Sequence, residues 1–158
     1  MTVRLLILFL LCDLTISYNY GQITDTTKTS CQFTVIQQCS YNSRIDPGVY
    51  IIETNSDLRD YWALAFGSSI PIPNVYFNSS IVIAINQSFG TGGYTFTIDS
   101  IYDTKDKMII NIIVNEPKGT TTMAIEHRCI IFTTKKTNKK IVLSIWGRTR
   151  LNIYNSGI

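Results

Sequence analysis

The chain has 158 residues, is 45% hydrophobic and only 16% charged, and carries a net charge of +3. That length suits one domain with a real core, and that hydrophobic share excludes disorder over most of it. Much of the charge excess gathers in Lys135-Lys136-Thr137-Asn138-Lys139-Lys140, a solvated turn without aromatic neighbours for bases to stack on, so no nucleic-acid partner is expected.

At the N-terminus Arg4 precedes the apolar run Leu5 to Leu11, and small or polar residues follow. This is the pattern of a secretory signal peptide over residues 1–20, with cleavage between Ser17 and Gly21. The run is shorter than the ~20 residues that cross a bilayer. No later stretch is long and apolar enough, so the expected product is secreted and leaves the membrane after cleavage. Residues 21–30 are polar and Thr-rich and read as a flexible leader.

Export changes how the cysteines read. Cys12 leaves with the signal peptide, and Cys31, Cys39 and Cys129 remain. An odd number in an oxidising compartment implies one pair and one free thiol. The favoured pair is Cys39 with Cys129, because Cys129 lies in a central strand that an N-terminal strand can reach; Cys31 is then the free thiol. Asn78-Ser79-Ser80 and Asn86-Gln87-Ser88 both fit the glycosylation sequon, making Asn78 and Asn86 the expected acceptors.

The domain proper is expected over residues 31–147. Cys31 to Gln38 is a first strand, and the Pro47-Gly48 turn leads to a second, Val49 to Glu53. The one helix follows, capped by Asn55 or Ser56, with Asp57 and Asp60 expected in its first turn, where the helix dipole favours negative charge. Leu58, Tyr61, Trp62 and Ala65 fall on one face, with Trp62 the anchor onto the sheet, and Gly67 ends the helix. From Ser80 the pattern is strand, turn, strand: Ile81–Ser88, Tyr94–Tyr102, Met108–Asn115, Ala124–Thr134 and Ile141–Trp146. Residues 148–158 form a short extension. The fold class is mainly β of the α+β kind: an antiparallel meander sheet, or a small sandwich or barrel, with one packed α-helix.

Between the first two strands of that series stands Gly90-Thr91-Gly92-Gly93-Tyr94. A phosphate cradle needs a helix directly after its glycines, and here a strand follows. The loop reads as a hairpin turn in which Gly92 and Gly93 supply positive φ. In a meander alternate loops share an end, so this loop neighbours Pro117 to Thr122, while the turns at Asp103–Lys107 and Lys135–Lys140 lie at the other end. His127 and Cys129, two apart on a strand, face one way, but no third group orients them as a catalytic pair. Glu126 faces the opposite side, so these residues make no metal site. No catalytic residue, metal or cofactor is expected.

Several segments together resemble the C-terminal domain of the PrcB family, the protease-complex stability subunits. They are Ser56 to Trp62, Ile72-Pro73-Asn74-Val75-Tyr76-Phe77, Ile81 to Ile85, Thr91-Gly92-Gly93-Tyr94, and Asn115-Glu116-Pro117-Lys118-Gly119. The family's link often reads Val-Asp-Phe, and its last strand often carries Pro-Tyr. Val75-Tyr76-Phe77 and Arg128-Cys129 depart from both. The resemblance implies a non-enzymatic domain that binds and stabilises a secreted protease or similar protein. The pairing of the two long loops at one end, not the resemblance, makes Thr91, Gly92, Gly93, Tyr94, Pro117 and Lys118 the expected contact residues. A second resemblance links Thr91 to Tyr94 with the inserting loop of chagasin-type cysteine protease inhibitors. Against it stand the helix and Phe96, where that family has tryptophan.

Overall fold

A computed structural model describes residues 27–41, 44–121 and 123–146. The expected signal peptide and the 148–158 extension lie outside the described residues. Eight strands and one helix follow in order: β1 (Thr29–Ser30), β2 (Phe33–Ser40), β3 (Gly48–Ile52), α1 (Asn55–Phe66), β4 (Ser80–Phe89), β5 (Thr95–Asp103), β6 (Lys107–Asn115), β7 (Glu126–Lys135) and β8 (Lys140–Trp146). They make two four-stranded sheets, ordered β1-β5-β6-β8 and β2-β7-β4-β3. The expected mainly-β fold with one helix is present, in its two-sheet form. β1 pairs with β5 inside the stretch expected to be an unstructured leader.

The strand series is not one meander. β4 belongs to one sheet and β5 to the other, so the glycine loop carries the chain between layers and closes no hairpin. The reason lies in β4. Every residue from Ile81 to Asn86 is buried, so both faces of the strand must be covered. Ile81, Ile83 and Ile85 join Ile130 and Phe132 of β7 against Phe96, Ile98, Met108, Ile110 and Ile112 of the second sheet. Val82 and Ala84, with Ile131 and Cys129 of β7, pack on Leu58, Tyr61, Trp62 and Ala65 of the helix. The order is therefore helix, sheet, sheet. The next strand must cross to the outer sheet to cover the isoleucine face.

Local devices keep the faces in phase. β5 buries Phe96 and Ile98 and then Ile101, an odd step made possible by a register shift between Ile98 and Ser100. β6 and β8 run parallel, because the chain visits the helix-covered sheet as β7 between them. The helix is capped by Thr54, one residue earlier than expected: its Oγ1 accepts from the Asp57 N–H at 3.1 Å. Gly67, at φ +62°, donates its N–H to the Ala63 carbonyl and ends the helix. Trp62 is 1% exposed and donates from Nε1 to the Ile70 carbonyl at 3.0 Å, which satisfies the indole and ties down the returning chain.

Candidate functional site

The strand directions place three connections at one end of the sandwich. β4 and β6 finish there, β7 and β3 begin there, and β2 ends there, since Ser40 pairs with Arg128 and Gly48 with Asn86. The connections are residues 41–47, 90–94 and 116–125. The predicted contact residues Thr91, Gly92, Gly93, Tyr94, Pro117 and Lys118 all lie in the second and third of these.

Tight contacts fix the glycine loop. Phe89 and Tyr94, at its two ends, stack with centroids 4.1 Å apart and planes 3° apart, and Phe96 lies 5.9 Å from Phe89. Gly93 has φ +90°, and a β-carbon there would stand 2.8 Å from Cβ of Pro117. Glycine is thus required twice, for the backbone angle and for the close approach. Its N–H donates to the Glu126 carboxylate at 2.8 Å. The other oxygen of Glu126 pairs with Arg128. Gly92 does not share the positive φ expected of it. Thr91 is half-buried and Lys118 exposed. Beyond Pro117 the same connection carries two residues that the sequence reading passed over: Met123 is 97% exposed and Ile125 is 73% exposed. Their signal was present, as apolar residues in a long polar loop next to a strand.

Beside this end, on the helix-covered face, polar groups form a line. Tyr61 donates its hydroxyl to Asn86 Oδ1 at 2.8 Å, and Ser88 Oγ lies 2.7 Å from His127 Nδ1. The rings of Tyr41 and His127 are 5.4 Å apart. Burial pushes the Tyr61 and Tyr41 hydroxyls above the ordinary tyrosine value, because the phenolate would lose its water. His127 thus pairs across strands with Ser88, directly opposite in register, rather than along its own strand with Cys129. The contact resembles the first link of a hydroxyl nucleophile and its base. The neighbouring Glu126 carboxylate is engaged by Gly93 and Arg128 rather than by the imidazole. No group of three His, Cys, Asp or Glu side chains that could hold a metal occurs among the described residues.

Asn86 does not suit the role of glycan acceptor. It is 1% exposed in the middle of the sheet, with its amide under the Tyr61 hydroxyl, and a glycan there would have to displace the helix. Asn78 is exposed, in the turn before β4. Cys39 stands directly opposite Cys129 across the β2–β7 pair. Cys31 is a buried free thiol, with Sγ 3.8 Å from the Thr29 carbonyl. No family model, no curated protein and no solved structure matches this chain.

Proposed function

We propose that this chain is an exported, non-enzymatic domain that binds a partner protein through the glycine-loop end. On the PrcB resemblance that partner is a secreted protease or a protein like it, which the domain stabilises. The observation that carries the reading is the exposed Met123–Ile125 pair, set on the connection whose Pro117 packs against Gly93. Exposed apolar residues presented by a braced loop are what a protein interface needs: anchors that lose little entropy on binding. Export is supported by the leader sequence and by the register of Cys39 and Cys129. Directly opposed residues in an antiparallel pair have Cα atoms roughly 4.5–5.5 Å apart, inside the range a disulfide spans. Asn78 lies at the far end, where a glycan would leave the loops clear.

The inhibitor reading draws on the same feature, since three neighbouring connections at one end could enter a protease cleft together. One set of measurements separates the two. The purified domain is used to capture partners from its own secretome and is assayed against papain-like proteases. Thr91→Arg and Met123→Asp should leave the melting temperature within about 2 °C, as surface changes do, and abolish capture. Lys136→Glu, in the far turn, should capture normally. Inhibition of the proteases at stoichiometric domain would establish the inhibitor reading in place of the stabilising one. Loss of capture by Lys136→Glu with retention by Thr91→Arg and Met123→Asp would move the interface to the other end.

A further inference from the structure

Between α1 and the segment leading into β3 lies a groove of about 290 Å³. Ile45, Tyr50, Tyr61 and Leu64 form its apolar walls. The two tyrosine rings stand 5.5 Å apart and tilted by 54°, the Tyr50 hydroxyl donating to the Asp46 carbonyl and the Tyr61 hydroxyl to Asn86. Both polar tips are thereby occupied, and the rings remain as apolar surface. The rim carries Asp46, Asp57 and Asp60 with a single guanidinium, Arg44. However these four pair among themselves, the rim keeps an excess of two negative charges, in a chain whose net charge is +3.

We propose that this groove receives one arginine or lysine side chain of a partner protein. The size limits the occupant. Pockets for small-molecule ligands run from ~300 to 1,000 Å³, so this one, at the lower edge, admits one long side chain. The chemistry limits it further. A long cationic side chain buries its methylene stem on apolar surface and keeps its head among charges, and ring faces beside the head add attraction. The helix dipole accounts for Asp57, the acidic residue of the first turn, but not for Asp60, which lies beyond that turn, or for Asp46. The source of the cation follows from the setting. Tyr50 belongs to β3, an edge strand of its sheet among the described residues, so a polypeptide backbone has a strand edge beside the groove to run along. A free amine would leave that edge unused. The groove borders the 41–47 connection of the same end but includes none of Thr91, Gly92, Gly93, Tyr94, Pro117 or Lys118, so it stands or falls without those contacts.

The test is an NMR titration of the full chain with three probes: the blocked tripeptide Gly-Arg-Gly, the same peptide with neutral citrulline in place of arginine, and agmatine. The arginine peptide should shift Tyr50 and Tyr61 saturably at millimolar concentration. It should bind more tightly than agmatine, and the citrulline peptide should fail. Added salt should weaken the binding. The double variant Asp46→Asn/Asp60→Asn should lose about tenfold in affinity, whereas Asp106→Asn, exposed in the far-end turn, should lose nothing. Equal binding of the citrulline peptide would overturn the charge assignment, and equal binding of agmatine the protein-partner assignment. Absence of saturable shifts at Tyr50 and Tyr61 would remove the site. The probe comparisons are made on the unaltered chain, so they decide the matter even where a variant folds poorly.

Discussion

At the glycine-loop end the two sheets are joined by a ring stack, Phe89 on Tyr94, and by Gly93 pressed against Pro117. At the far end the same two sheets are joined by charge. Asp103 of β5 accepts from Lys135 of β7 at 2.6 Å and from Lys139 of the following turn at 2.9 Å. Lys139 also donates to the Thr104 carbonyl, and Thr104 closes its own turn onto Lys107. One end thus continues the interior packing out to the loop, and the other is a solvated clamp. Packing of the first kind is insensitive to salt and pH and holds a loop in one shape. Ion pairs near the surface are worth little each and fade with screening. The difference fits a division of labour in which the packed end presents the exposed Met123 and Ile125 and the charged end only closes the fold.

The largest effect that tests this contrast is at Phe89, which is 5% exposed. Phe89→Ala should cost about 3–5 kcal/mol, as truncation of a core aromatic does. Denaturant unfolding at low and high salt should give the same loss, and a loss under about 1 kcal/mol would mean the stack is ornamental. Next comes a pair of neighbouring glycines. Gly93→Ala must hold φ near +90° and push aside Pro117, so about 1–3 kcal/mol is expected. Gly92→Ala, without the positive φ, should cost well under half as much. Equal losses at the two positions would place the strain elsewhere in the loop.

These two glycines also mark where the sequence could be read and where it could not. The strands were legible because their apolar residues are continuous in β4 and alternate with polar ones from Thr95 to Asp99 in β5, and both patterns report local burial directly. The helix was legible for the same reason, from Leu58, Tyr61, Trp62 and Ala65. Sheet membership was not, since a glycine-rich link between two strands looks alike whether it turns within a sheet or crosses between sheets. The unbroken apolar run from Ile81 to Ile85 was the available clue: a strand apolar on both faces calls for a second layer. Of the loop end, the adjacency of Gly93 and Pro117 followed from strand order alone. The bond from Gly93 to Glu126 and the Ser88–His127 pair did not, because they depend on the register of β4 against β7, which no local pattern encodes. Asn86 shows the converse hazard. Its sequon is intact, and only the tertiary packing of Tyr61 over it removes it from the surface.

The smallest effect belongs to the charged end, and its signature is its dependence on conditions. The hydrogen bonds from Lys135 and then Lys139 hold the Asp103 carboxyl below its ordinary value of 3.8, and the same contact raises Lys135 above 10.5. Asp103→Asn keeps the shape and removes the charge, and at neutral pH it should cost about 0.2–1 kcal/mol. The sign of the pH dependence follows from the shifts. Below pH 3.8 the unfolded chain takes up a proton at this residue more readily than the folded one. The stabilisation is therefore whole above that value and is lost as pH falls through the lower, folded-state value. For Lys135 the order is reversed: its share is present below 10.5 and is lost as pH rises through the raised value. The gap between parent and Asp103→Asn should accordingly be widest between these limits, narrow in strong acid, and shrink at neutral pH in high salt. Melting curves across that range measure it, with Phe89→Ala, which removes ring contacts and no charge, as the reference whose deficit stays constant. A gap at Asp103 equally indifferent to acid and to salt would show that the far end, too, is held by packing, and the contrast between the two ends would be lost.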